Sequence, residues 1–177
     1  MSPVLVTGGS GYLATRLIAD LLRGGTAVRT TVRSLASEAE VRAAVRRGGA
    51  DDDGLEFVVA SLTADAGWAE AVAGIDDVYH LASPMIQAQD PDDVVVPARD
   101  GALRLLRAAR DASARRVVLT SSFAAVGYSP KPVRDYTEAD WTDPDTPGSP
   151  PTPCRRRWRS ERRGTSSTTR AATPSWS

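Results

Sequence analysis

The chain has 177 residues, 41% hydrophobic and 25% charged, the proportions of a soluble globular domain with a real core. No apolar run approaches the roughly 18–20 residues a membrane span needs, the start Met1-Ser2-Pro3-Val4 carries no secretory pattern, and the lone Cys154 excludes an internal disulfide, so a cytosolic protein is expected. The formal charge of +0 conceals two unlike pieces: from Ser149 onward seven Arg and one acid give +6, and the preceding residues carry −6.

The elements alternate. Pro3–Thr7, an apolar run ending in glycines, predicts a buried parallel strand. Residues 12–25 follow as a helix, with Leu13, Leu17, Leu21 and Ile18, Leu22 at helical spacing and Gly24-Gly25 as its stop. Ala27–Arg33 is a second strand. Residues 37–49 form a second helix, with acids early, bases late and glycines at the end, the order that suits the helix dipole. Leu55–Ala60 is a third strand, 67–74 a short helix and Asp76–Ala82 a fourth strand. Val94–Ser113 is a long helix with Leu103, Leu106 and Ala109 expected on one face and Pro97 near its start. Arg115–Ser122 is a fifth strand. Five strands joined by helices predict an α/β protein with a Rossmann-type, doubly wound parallel sheet.

The first strand runs into Thr-Gly-Gly-Ser-Gly-Tyr-Leu-Ala, Thr7 to Ala14. Gly8, Gly11 and Ala14 have the spacing of a dinucleotide loop. Gly8 allows a tight turn, Gly11 lets a pyrophosphate approach the N–H groups at the helix start, and Ala14 keeps the helix close to the sheet. A simple flexible turn would also use glycines, but this loop joins a first strand to a helix, the context that dinucleotide binding requires. Gly8, Ser10, Gly11, Tyr12 and Leu13 are therefore candidate cofactor contacts. The second strand ends on Arg33, where an NAD site usually has an acid; Arg33 can pair with a 2′-phosphate, which favours NADP over NAD, or be a solvated surface cation. His80, the only histidine, falls within a predicted strand and reads as core or near-core rather than as a base.

Several stretches in order, Val4–Ala14, Thr30–Ser34, Asp76–Met85, Ala98–Tyr128 and Tyr136–Asp143, resemble the extended short-chain dehydrogenase/reductases, above all the branch of dihydroflavonol, cinnamoyl-CoA and aldehyde reductases. The resemblance runs from Pro3 to about Pro147. It implies NADPH-dependent reduction of a small-molecule carbonyl, or the reverse, with a Ser, a Tyr and a Lys. Ser122 matches the serine and would steady the negative charge developing on the substrate carbonyl; a hydroxyl satisfying backbone groups after a strand is the bland alternative. Ser121 beside it joins the candidate cofactor contacts. Leu81, Ala82 and Ser83 match the turn along the nicotinamide ribose. Ser61-Leu62 stands where the family commonly has Asp-Leu for the adenine, so Ser61 brings a hydroxyl without a charge. A sugar-nucleotide epimerase or dehydratase, and a non-catalytic dinucleotide-binding module, remain open beside the reductase.

The tail departs from the family. Past Asp-Trp-Thr-Asp-Pro the family has Tyr-x-x-x-Lys on a helix, where Lys lowers the Tyr pKa and Tyr donates the proton. From Ser149 onward this chain has neither Tyr nor Lys. Read one base out of frame, the codons from Pro151 to Ser166 allow Tyr-Ala-Val-Ser-Lys-Thr-Leu-Ala-Glu-Arg-Ala-Ala-Trp-Asp-Phe, the missing motif and its helix. Residues 1–148 are thus expected to be an incomplete cofactor-binding domain, and 149–177 a frameshifted, disordered, Arg-rich tail that removes catalysis and the family's homodimer interface. The alternatives are a basic arm for nucleic acid or phosphate, which no aromatic-interleaved pattern supports, and a plain disordered terminus. Exposed apolar surface on the Val94–Ser113 helix, marginal stability and aggregation are expected to follow.

Overall fold

The structure, a computed structural model, describes residues 2–84, 92–122, 124–127, 134–137 and 139–141. The chain divides into two compact units, Met1–Ser121 and Ser122–Ser177. The boundary expected at 148/149 and the arginine-rich tail lie outside the described residues.

The first unit is built on five parallel strands: β1 (Val4–Thr7), β2 (Val28–Val32), β3 (Leu55–Val59), β4 (Asp77–His80) and β5 (Arg116–Leu119). Their order is β3-β2-β1-β4-β5. The chain starts in the middle, winds outward through β2 and β3, then crosses back over β1 to β4 and β5. The order therefore reverses between β1 and β4, the place where open α/β sheets take their ligands. The expected doubly wound Rossmann-type sheet is present.

Period-two alternation along β1 feeds two cores. Leu5 enters one with Val58, Trp68, Val72, Val78, Leu105 and Ala109. Val6 enters the other with Ala14, Ile18, Val28, Val41 and Val45. The helices α1 (Tyr12–Arg23) and α2 (Glu38–Arg47) build the second core, while α3 (Trp68–Val72) and α4 (Asp92–Asp111) build the first. Each fully buried Leu, Ile or Val contributes roughly 1.5–3 kcal/mol relative to exposure. Helix α2 has Glu38 and Glu40 in its first turn and Arg46 and Arg47 in its last, as its sequence predicts. Arg42 anchors the turn from α2 into β3: it donates to Glu38, to Asp52 and to the Leu55 carbonyl, and its guanidinium lies 5.0 Å from the Phe57 ring centre.

Two expectations need correction. Leu103 and Leu106 do not join Ala109 in the core; each is 40% exposed, and Leu105 is buried instead. The stripe that faces the sheet is Gly101, Leu105, Ala109, at i, i+4 spacing. Gly101 belongs to it because a Cβ there would strike Leu62. Second, α4 begins at Asp92, which places Pro97 inside the helix rather than in its first turn.

Among the described residues β5 is an edge strand, with Val118 44% and Leu119 50% exposed. No helix of the described residues is long and apolar enough to cross a membrane. In the second unit the Ser122 carbonyl accepts from Ala125 N–H at 2.9 Å as α5 (Ala124–Gly127) begins. Further on, the Asp140 carboxylate accepts from Arg134 and from Thr137 N–H. Those bonds, with Arg134 foremost, hold its pKa well below the usual carboxylate range.

Candidate functional site

The loop after β1 is bound from beneath by β2. Gly8 adopts φ +74°, a left-handed conformation that glycine takes without steric cost. Its N–H donates to Thr31 Oγ1 at 3.0 Å, and Gly9 N–H donates to the Thr31 carbonyl at 2.9 Å. Gly11 N–H donates to the Gly8 carbonyl at 2.8 Å. Gly9 lies against Thr30, so a Cβ there would collide with that side chain, whose hydroxyl donates to the Val6 carbonyl at 2.7 Å. Three loop N–H groups are thus consumed by the fold itself.

What remains is the start of α1. Gly11 is its N-cap, in extended conformation, and no side chain caps the helix there. The first N–H groups of a helix have no intrahelical partners, and α1 has no acid in its first turn to offset the positive end of its dipole. A Cβ on Gly11 would meet only the Gly8 carbonyl, at 3.2 Å, so the space over the helix start is kept open by the absence of that carbon. Tyr12 and Leu13 are 86% and 62% exposed beside it, while Ala14 is buried and lets α1 approach the sheet. These residues fit a dinucleotide pyrophosphate.

The other candidates of the first unit follow the carboxyl ends of the neighbouring strands. Arg33 comes directly after β2, is exposed, and makes no ion pair among the described residues. Ser61 and Leu62 follow β3. The Ser61 hydroxyl pairs with Thr63 Oγ1 at 3.0 Å, and Trp68 Nε1 donates to the Ser61 carbonyl at 3.1 Å. Leu62 is fixed under α4 at Gly101, and Arg104 donates to its carbonyl at 2.8 Å. Leu81, Ala82 and Ser83 follow β4. Ala82 lies against Gly8, where a glycine Cβ would come within 3.0 Å of Ala82 Cα. Ser121 follows β5, whose end is tied to β4 by Thr120 N–H donating to the His80 carbonyl at 3.1 Å. Gly8, Ser10, Gly11, Arg33, Ser61, Leu81, Ala82 and Ser121 therefore lie at the carboxyl ends of the strands. Ser122 opens the second unit, is exposed, and sits just before α5.

His80 is buried at 3% exposure, as its place in a strand predicts. Burial pushes its imidazole down to about 4, so it is neutral at ordinary pH. Its Nδ1 lies 2.8 Å from Thr7 Oγ1, and the Trp68 ring stands edge-on to it with centroids 6.3 Å apart. Thr7, Gly9, Thr30 and Thr31 are the residues that sequence reasoning missed. The available signal was three threonines in two strands whose only other polar residue is Arg29: all three are buried, and buried hydroxyls need partners.

A model of the NAD dependent epimerase/dehydratase family matches residues 4–150. The chain belongs to that family. Among curated relatives, dihydroflavonol 4-reductase of Hordeum vulgare is 36% identical over 146 residues, covering 81% of this chain and 41% of the relative. Cinnamoyl-CoA reductase CAD2 of Medicago truncatula is 39% identical over 132 residues, covering 73% and 40%. Vestitone reductase from alfalfa superimposes with a TM-score of 0.66 at 31% identity, covering 82% of this chain and 44% of that one. A yeast methylglyoxal/isovaleraldehyde reductase solved with NADPH gives 0.68 at 25% identity, covering 83% and 45%. This epimerase/dehydratase-family chain thus spans about two fifths of the length of those two curated reductases. The family is NAD dependent by description and the yeast reductase was solved with NADPH, which supports a nicotinamide dinucleotide as the cofactor.

Proposed function

We propose that residues 2–121 bind NADP(H). The observation that carries this reading is the start of α1 behind Gly11, which no side chain caps, together with Arg33 after the adjoining strand, exposed and without an ion pair among the described residues. The helix start takes the pyrophosphate, Arg33 takes the 2′-phosphate, the Ser61-Leu62 loop borders the adenine, and Leu81–Ser83 border the nicotinamide ribose. Bound NADPH supplies a hydride to a carbonyl carbon, and this chain's residues orient the ring and exclude water.

The lineage is that of a carbonyl reductase acting on a small ketone or aldehyde. Ser122 is the serine of its catalytic set and hydrogen-bonds the substrate oxygen. The sequence holds no Tyr-x-x-x-Lys. Without the Tyr there is no positioned proton donor, and without the Lys nothing lowers its pKa, so the 177-residue chain binds cofactor without reducing substrate. Codons that permit that motif in another frame are compatible with residues 151–166, so we read residues 149–177 as a frameshift product. Sequencing the gene across the codons for Asp145 to Ser160 tests this: an extra or missing base restores Tyr-x-x-x-Lys, while a clean read of the Arg-rich frame makes the chain a dinucleotide-binding module of its own. Such a chain works in the cytosol and lacks the homodimer interface of intact reductases. Binding of NADPH without turnover of any carbonyl is the result that supports the whole reading.

A further inference from the structure

The Thr7 hydroxyl stands at the centre of three hydrogen bonds. Leu81 N–H reaches Thr7 Oγ1 at 3.1 Å, Ala82 N–H at 3.0 Å, and His80 Nδ1 lies 2.8 Å away. A threonine hydroxyl has two lone pairs and one proton. The two backbone N–H groups occupy both lone pairs. The single proton must therefore point at His80 Nδ1, and that nitrogen must be the acceptor. His80 is consequently a neutral imidazole with its proton on Nε2. No other arrangement satisfies all three contacts, because a protonated Nδ1 would require the oxygen to accept three times while its own proton had no partner.

From this we infer that His80 is a positioning residue for the turn at the end of β4. By taking the Thr7 proton, its Nδ1 fixes the hydroxyl so that both lone pairs face Leu81 and Ala82. Those N–H groups then hold the turn against β1, with Ala82 seated on Gly8. The imidazole in turn is held by burial and by the edge-on Trp68 ring. The chain of contacts runs from Trp68 through His80 and Thr7 to Ala82 and the glycine loop, so one side chain sets the spacing between the two halves of the cofactor crevice. The link to cofactor rests on the function proposed above; the link to the turn stands in the ligand-free protein.

Because His80 is the only histidine, a ¹⁵N-labelled imidazole gives one unambiguous signal pair. In the ligand-free chain near pH 7 that signal should report the Nε2–H tautomer. Amide exchange at Leu81 and Ala82 should quicken at least tenfold in His80→Leu and in Thr7→Val, which remove the acceptor and the hydroxyl respectively. His80→Asn, which keeps an acceptor near the place of Nδ1, and Thr7→Ser, which keeps the hydroxyl, should restore the wild-type rates. An Nδ1–H tautomer overturns the inference. So do unchanged rates at Leu81 and Ala82 in a folded Thr7→Val. NADPH titration of the same proteins judges the cofactor link separately: affinity should fall about tenfold in Thr7→Val and recover in Thr7→Ser. A wild-type chain that protects both amides yet binds no NADPH refutes the cofactor reading and leaves the positioning of the turn established.

Discussion

Gly8 and Ala82 touch across the reversal point of the sheet: a Cβ added to Gly8 would lie 3.0 Å from Ala82 Cα and 3.2 Å from its Cβ. The contact joins the loop after β1 to the turn after β4. It exists only because position 8 has no side chain and accepts φ +74°.

Gly8 and Gly11 are therefore expected to separate stability from binding. Gly8→Ala places an L-residue in the left-handed region and crowds Ala82, costing roughly 1–2 kcal/mol. Gly11→Ser keeps an ordinary φ of −77° at an N-cap that serine suits, and its Cβ meets only the Gly8 carbonyl, at 3.2 Å, so stability should fall by no more than about 1 kcal/mol. The new side chain enters the space left for the pyrophosphate, so NADPH affinity should drop about tenfold or more. Urea melts alongside cofactor titrations check both; a Gly11→Ser protein that binds NADPH normally would contradict the placement.

Arg33 is exposed and unpaired among the described residues, so nothing in the fold depends on it. Arg33→Ala should leave stability unchanged within about 0.5 kcal/mol. A hydrogen bond to a charged group is worth roughly 1.5–3 kcal/mol, so NADPH affinity should fall about ten- to a hundredfold. NADH, which lacks the 2′-phosphate, should bind as before. Equal losses for both cofactors would remove Arg33 from the 2′-phosphate site.

His80 gives stability a pH dependence of definite sign. Its folded value is pushed from the usual 6.5 down to about 4 by burial. Between those values the unfolded chain binds more protons than the folded one, so stability falls as pH falls through this window and is fully present above about 6.5. The loss amounts to roughly 3 kcal/mol by pH 4. The Asp52 and Asp140 carboxyls, also held below their usual range, add losses at lower pH. Subtracting the profile of His80→Asn isolates the imidazole. If the two unfolding curves run parallel from pH 7 to pH 4, the imidazole is not buried neutral.

Among the described residues, Val118 and Leu119 leave an apolar edge on β5. Edge strands of this kind pair with other chains unless a charge blocks them. Val118→Lys should lower light scattering of concentrated samples severalfold without lowering the melting temperature by more than a few degrees. An increase in scattering would point away from this edge.

Much of this was legible in the residues themselves. The Leu5/Val6 alternation, the glycine stops of α1 and α2, and the loop from Gly8 to Ala14 all follow from local chemistry. The strand ends did not. Arg33, Ala60, Leu81, Ala82 and Ser121 continue β-rich runs in sequence, yet they lie beyond the paired strands, because pairing depends on a neighbour that sequence periodicity does not display. Helix α4 carries two overlapping apolar stripes, and only docking at Leu62 selects Gly101, Leu105 and Ala109 over Leu103 and Leu106. The threonines that hold the glycine loop were hidden because β-branched residues are ordinary in strands.

The proposed NADP(H) site stands in a sequence that holds no Tyr-x-x-x-Lys. The most direct measurement is a titration of the 177-residue chain with NADPH and with NADH, followed by addition of a panel of ketones and aldehydes to the NADPH complex. The account predicts saturable binding that is tighter for NADPH, with no substrate-dependent loss of its absorbance at any pH. Absence of NADPH binding to the folded chain, preference for NADH, or steady oxidation of NADPH by a carbonyl would each contradict it.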